Sequence, residues 1–215
     1  MPKLDARLIA VTKQIRCESH VDIGSDHGLM LVSLLKSGRI NRGIAIEKNQ
    51  LPFENSQRAL VGLNAEVRLG DGLAVLKQGE AECLSICGLG SENMARILSA
   101  HPERLPDRMV LQPNLRPEVV RKWGRENGFH LTHEHVSRGY WPYAIMTFER
   151  ANLPDPIYDG LDLDAALIFG PYEIRKMDDA LVAQLIEERE YWQAKGQLDG
   201  KRAVRLAAIE RLLAQ

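Results

Sequence analysis

The sequence predicts an α/β protein in which a doubly wound, mostly parallel sheet ends in an antiparallel hairpin and is followed by a helical hairpin. Three observations carry that prediction. Between residues 20 and 150, short β-type runs alternate with amphipathic segments, and strands connected through helices run parallel because each pair needs a crossover. After Gly128 two β-type runs follow one another directly, which makes them antiparallel neighbours. Beyond residue 172 the apolar spacing is that of long helices with few breakers.

The five parallel strands are expected at HVDIG (20–24), RGIAIE (42–47), AEVRL (65–69), ECLSIC (82–87) and DRMVLQ (107–112). LMLVSLLKSG, LPFENSQRALVGL, GLAVLKQ, SENMARILSAH and RPEVVRKWGRENG lie between and after them, with apolar positions at helical spacing and several ending near glycine. FHLTHEHVS and WPYAIMTFER, separated by RGY, form the hairpin. A dinucleotide-binding sheet usually continues with parallel strands. Five parallel strands closed by an antiparallel hairpin form instead the Rossmann-like layout of class I methyltransferases. A proline- and acid-rich linker, ANLPDPIYDGLDLD, precedes helices over 173–195 and 201–214, joined by GQLDG. Leu181, Leu185 and Ile186 give the first an apolar face, and Leu206, Ile209, Leu212 and Leu213 the second. Such an αα-hairpin is too small to hold a core of its own. The expected division is a cofactor-binding domain over 1–150 and a linker with coiled-coil-like hairpin over 151–215.

Composition narrows the function classes. No apolar run approaches the roughly 20 residues that span a bilayer, and the charged N-terminus lacks a signal-peptide core, so a cytoplasmic protein without membrane contact is expected. Cys17, Cys83 and Cys87 are odd in number and lack CxxC spacing, which suits reduced thiols rather than disulfides or zinc; no metal is expected. Residues 1–150 carry 20 basic and 17 acidic groups, and 151–215 carry 8 and 12. Contact with nucleic acid therefore has to use local patches.

In open parallel sheets, ligands sit at the carboxyl ends of the strands. After the first strand, Gly24 permits a tight turn and Gly28 lets the next helix start close to a ligand. The G-x3-G spacing lacks the middle glycine that admits a pyrophosphate, so a cofactor without phosphates, S-adenosylmethionine, fits better. Asp22, Ser25, Asp26 and amides near Gly24 suit its amino-acid end, with His27 inside the same turn. Glu47, with Lys48 beside it, ends the second strand and suits the ribose hydroxyls. Gly70-Asp71-Gly72 follows the third strand, where Asp71 suits the adenine amino group. Cys87-Gly88-Leu89-Gly90-Ser91 ends the fourth strand and allows backbone approach, and Gln112-Pro113-Asn114 ends the fifth with amide donors and acceptors. Cys87 reads as a buried strand cysteine, since no base is matched to it. His130, His133 and His135 read as solvated strand residues, with 133 and 135 sharing a face and 130 on the other.

Taken in order, these motifs resemble the bacterial tRNA (adenine-22-N1)-methyltransferase family across nearly the whole chain. The matching features are Arg7-Leu8 on a short leading helix, DIGSDH (22–27), Glu47, GDGL (70–73), GLGS (88–91), LQPN (111–114), Tyr143 in the closing hairpin and the C-terminal helical hairpin. The sequence departs from that pattern at Ser91, where glycine is usual, at Gly28, where alanine is common, and in the bulky Tyr140-Trp141-Pro142. Ser91 is expected either to narrow the base pocket or to cap the following helix. The resemblance implies methyl transfer from S-adenosylmethionine to N1 of a D-loop adenine in tRNA. N1 carries a lone pair at neutral pH, so positioning rather than deprotonation is required. The implied roles are Asn114 and Gln112 at the base edge, Asp26 and His27 around the cofactor, Arg7 on cofactor or phosphate, and Gly88 and Leu89 along the cofactor wall.

For tRNA phosphates the candidates are Arg116, Arg121, Lys122 and Arg125 after the fifth strand, with Lys201, Arg202 and Arg205 on the last helix. The hairpin could serve dimerisation instead, so a monomer or weak dimer is expected. Two alternatives stay open: a class I methyltransferase acting on a small molecule under a hairpin lid, and a non-catalytic cofactor- and tRNA-binding module.

Overall fold

The computed structural model describes residues 4–136, 143–152 and 154–214; the Tyr140-Trp141-Pro142 departure lies outside them. The first helix, α1 (Ala6–Gln14), starts at Asp5, whose carboxylate accepts from the Leu8 N–H at 2.7 Å. Then follow β1 (Ser19–Ile23), α2 (Leu29–Lys36), β2 (Arg42–Glu47), α3 (Gln50–Ala59), β3 (Ala65–Leu69), β4 (Cys83–Leu89), α4 (Ser91–Ala100), β5 (Arg108–Pro113), α5 (Pro117–Glu126), β6 (Phe129–Val136) and β7 (Ala144–Arg150). The strands order as β3-β2-β1-β4-β5-β7-β6, with β1 to β5 parallel and β7 antiparallel to both β5 and β6. The order reverses between β1 and β4, so the ligand crevice belongs at their carboxyl ends.

Alternation along the strands supplies both faces. Val21, Ile23, Leu84, Ile86, Met109 and Leu111 pack against Met94 and Leu98 of α4 and Val120 and Trp123 of α5. On the other face Ala45, Cys83, Val110 and Ile145 pack against Val11 and Ile15 of α1 and Leu31 and Leu34 of α2.

Three expectations are corrected. GLAVLKQ forms only a 3-10 turn, Gly72–Val75. The segment is too short to propagate a helix, and the Lys77 N–H is captured by the Glu80 carboxylate at 2.9 Å. Secondly, the C-terminal segment holds four helices: α6 (Leu163–Phe169), α7 (Pro171–Lys176), α8 (Asp179–Ala194) and α9 (Gly200–Leu213). The continuous 173–195 helix is broken at Met177, with φ of 41°, and restarts at Asp178, which accepts from the Leu181 N–H. With α6 and α7 added, the segment does build its own apolar cluster, in which Ala165, Phe169, Ile174, Leu185, Ile209 and Leu212 meet Tyr158. Thirdly, a bulge between Leu131 and His133 pairs His130, His133 and His135 with Glu149, Thr147 and Ile145. The extra residue puts all three histidines on one face, yet their ring nitrogens do not converge into a ligand set among the described residues.

Candidate functional site

A cavity of about 360 Å³ opens at the carboxyl ends of β1 and β4, within the range typical of ligand pockets. Its wall includes Arg7, Asp22, Gly24, Ser25, Asp26, His27, Gly88 and Leu89, so one site gathers residues 82 positions apart in the chain (Arg7 to Leu89). Asp22 is 3% exposed and accepts from Ser85 Oγ at 2.6 Å. Burial pushes its carboxyl up, with the Ser85 hydrogen bond opposing. Gly24 turns the chain with φ of 75°, and Asp26 holds φ of 58°, a conformation that costs a non-glycine residue free energy and concentrates at functional sites. The exposed Asp26 and His27 side chains meet at 3.5 Å over the mouth.

Neighbouring strands β2 and β3 extend the crevice. Glu47 lies just outside the cavity wall and is 4% exposed. Burial raises its carboxyl to about 7; the Asp26 backbone N–H opposes that shift, and the charges of Asp22 and Asp26 add to it. Ser56 Oγ donates to it at 3.4 Å. Asp71 is exposed beyond β3, where Lys48 Nζ at 3.0 Å and Arg96 at 3.4 Å hold its carboxyl low, and Gly72 is buried behind it with φ of 57°. The ends of β1, β2 and β3 thus present Asp22, Glu47 and Asp71 in spatial order.

At the ends of β4 and β5 the expectation for Gln112 is corrected. The side chain is fully buried, and its Oε1 accepts from Arg7 and from the Gly88 N–H at 3.1 Å, while Nε2 donates to the Pro113 carbonyl at 2.8 Å. Buried, with Oε1 taken by Arg7 and the Gly88 N–H and one Nε2 proton on the Pro113 carbonyl, Gln112 positions Arg7 and the Gly88 turn rather than standing exposed at a base edge. Asn114 remains exposed, with its N–H on the Leu89 carbonyl at 2.9 Å and Nδ2 on the Gly88 carbonyl at 2.6 Å. Ser91 neither caps α4, which is the place of Gly90, nor enters the pocket: it is buried and donates to the Leu115 carbonyl. Cys87 lines the cavity, and burial pushes its thiol up, in keeping with a packing role.

A second depression of about 290 Å³ begins at Asn114 and is walled by Tyr143 of the hairpin side, Val136 and Phe169. It shares Arg116, Glu118, Ile168 and Arg205 with a groove of about 540 Å³ between α5 and α9, which Lys122, Lys201 and Arg202 also line. Arg121 does not belong to the basic surface. It is 1% exposed, its Nε donates to Glu134 at 2.8 Å and its Nη1 to the Leu167 and Ile168 carbonyls at 2.5 and 3.2 Å. Burial, which the sequence pattern on α5 does not reveal, makes it the clasp between α5, β6 and the end of α6. Arg205 is half-buried, forks onto Glu188 and lies 4.6 Å from the centre of the Phe169 ring, so it shapes the groove more than it offers a free charge. Arg116 pairs with Glu92 and Glu118, Lys122 with Glu126 at 3.7 Å and Arg202 with Asp199 at 3.2 Å. Arg125, on the same helix, is exposed but outside the groove wall. Ser85 was not singled out by sequence reasoning; the available signal was a lone hydroxyl inside the apolar run ECLSIC.

Comparison with known proteins agrees with this geometry. The family described as TrmK, tRNA (adenine(22)-N(1))-methyltransferase, matches residues 20–213. A tRNA (adenine(22)-N(1))-methyltransferase of Bacillus subtilis is 30% identical over 199 residues, covering 89% of this chain and 84% of the relative. The crystal structure of the B. subtilis M1A22 tRNA methyltransferase TrmK superposes with a TM-score of 0.87 at 27% identity, covering 99% of each chain. The Streptococcus pneumoniae Sp1610 structure, a putative tRNA (m1A22) methyltransferase in complex with S-adenosyl-L-methionine, gives 0.82 at 25% identity over 98% and 100% of the two chains. The chain belongs to the TrmK family of tRNA (adenine(22)-N(1))-methyltransferases.

Proposed function

We propose that the chain carries out its family's reaction, methylation of N1 of adenine 22 in tRNA with S-adenosylmethionine, at the crevice between β1 and β4. The observation that carries this reading is the ordered delivery of Asp22, Glu47 and Asp71 by three adjacent strand ends beside a glycine-lined cavity. The donor set fits the cofactor: Asp22 and the Ser25 backbone amide, beside the Gly24 turn, for the amino-acid end, Glu47 for the ribose, and Asp71 with Gly72 for the adenine. When bound, S-adenosylmethionine supplies a methyl group on a sulfonium.

The chain's own residues then orient the acceptor. Asn114 lines the second depression and is bonded to Gly88 and Leu89 of the cavity wall, its Nδ2 fixed on the Gly88 carbonyl, which aims the amide at a base edge entering from the Tyr143 side. Tyr143 supplies a ring for the base face, as extruded bases are usually held by stacking and edge hydrogen bonds. No general base is required. Asp26 at the mouth places a carboxylate near the cationic product. Lys122, Lys201 and Arg202 take phosphates along the groove, so residues 151–215 form the far wall of the tRNA path and 1–150 hold the cofactor. The protein works in the cytoplasm, as a monomer or weak dimer.

Continuity of depression and groove favours tRNA over a small molecule, and Ser91's engagement with Leu115 removes the reason to think the site inactive. Titration with S-adenosylmethionine and S-adenosylhomocysteine tests the pocket. Binding of both, lost in Asp22→Ala, is the expected result; binding of neither defeats the assignment.

A further inference from the structure

At the opposite end of the sheet, a cluster that the sequence spacing hides comes together. Cys17 lies in the loop before β1, its N–H fixed on the Arg39 carbonyl at 3.1 Å. His20 and Cys83 are register partners on β1 and β4, so their side chains leave the same face of the sheet side by side. One ligand atom from each of the three lies within 4.8 Å of the others.

The imidazole is the decisive group. His20 is fully buried, and its Nε2 lies 2.8 Å from Ser85 Oγ. That hydroxyl gives its proton to Asp22, so it accepts from an Nε2–H. The tautomer is thereby set, and Nδ1 carries a lone pair. Nδ1 has no hydrogen-bond partner among the described residues, an arrangement native structures avoid unless the group has another use.

We propose that Cys17, His20 and Cys83 bind a borderline-soft divalent cation of the Zn²⁺ class through two sulfurs and Nδ1, with the fourth position open to solvent. Zn–S near 2.3 Å and Zn–N near 2.0–2.1 Å imply ligand separations of about 3.5–3.8 Å in a tetrahedron. Closing from 4.8 Å requires movement of about 1 Å, which Cys17, half-buried on a loop, can supply. The Nε2–H to Ser85 to Asp22 relay is the outer support that metal-binding histidines generally require. It also ties this site to the floor of the methyl-donor pocket.

The test uses the full-length, tag-free chain, stripped with chelator, kept reduced and titrated with Co²⁺ and Zn²⁺. One equivalent is expected to bind, with sulfur-to-Co²⁺ charge-transfer absorption in the near ultraviolet. Zn²⁺ should protect Cys17 and Cys83, identified by peptide mass, from alkylation. Cys17→Ser should abolish the charge-transfer band at an unchanged thermal midpoint, and Ser85→Ala should weaken binding by about 10–100-fold. Absence of a stoichiometric complex, or a band and protection that persist in Cys17→Ser, would overturn the site. So would isolation of the chain with a Cys17–Cys83 disulfide that, once reduced, takes up no metal.

Discussion

Replacing Arg121 separates its structural reading from the phosphate-binding one. Its guanidinium is 1% exposed and is shared among Glu134 and two carbonyls at the end of α6. Arg121→Ala leaves the Glu134 carboxylate buried and unpaired, and removes the partner of carbonyls that a helix end cannot satisfy itself. Breaking one side of a buried pair costs about 3–5 kcal/mol. At about 2–4 °C per kcal/mol for a chain of this size, the thermal midpoint should fall by about 6–20 °C. Gly170 allows the close approach: a Cβ there would lie 2.5 Å from Glu134 Oε2. Replacing both partners, Arg121→Met with Glu134→Leu, should recover most of the loss because neither charge remains to be desolvated. The assays are urea and thermal unfolding, with tRNA binding measured across salt on the folded variant at low temperature. A midpoint lowered by under about 2 °C, together with a shallower salt slope, would return Arg121 to the tRNA surface and refute the reasoning.

Glu47 gives a pH signature. Its folded carboxyl sits at about 7 against an ordinary 4.5, so the folded state binds its proton more tightly. That contribution is fully present below about pH 4.5 and is lost as pH rises through about 7. Glu47→Gln should therefore stabilise the cofactor-free protein above pH 7 by about 3 kcal/mol, seen as a flatter stability profile, while weakening S-adenosylmethionine binding; an unaltered profile counts against the buried carboxylate. Asn114→Ala should lower kcat by about 10²-fold, the cost of a misplacement of about 1 Å, with calorimetric affinity for S-adenosylmethionine within about threefold. A loss confined to cofactor affinity would move Asn114 out of the acceptor role. Joint replacement of Lys122, Lys201 and Arg202 by Ala should reduce the slope of log K against log salt by about 2–3, and an unchanged slope places the tRNA elsewhere.

The sheet was legible because its parallel strands are short β-type runs, four of the five reaching glycine or acid at their ends, and their observed bounds differ from expectation by at most two residues, except in the closing hairpin, whose loop lies outside the described residues. The placement of Asp22, Glu47 and Asp71 was legible for the same reason: each lies at or just past the carboxyl end of its strand, and the three strands are neighbours in the sheet. What failed depended on neighbours distant in sequence. α6 went unpredicted, only its first two residues falling in the expected linker, although Asp162 caps it and Gly170-Pro171 ends it, and Asp178 likewise marked a restart inside an apparent long helix. Arg121 and Gln112 read as surface and site residues because α5 and β5 show their type but not their burial. The thiol and imidazole cluster spans 66 positions from Cys17 to Cys83, and only the pairing of β1 with β4 brings it together.

The central claim is tested most directly by incubating unmodified tRNA and its A22→G counterpart with the protein and methyl-labelled S-adenosylmethionine, then mapping the product nucleoside. The account predicts one 1-methyladenosine per tRNA, at position 22, absent from the A22→G transcript. Label in both transcripts, or a methylated nucleoside other than 1-methyladenosine, would contradict it.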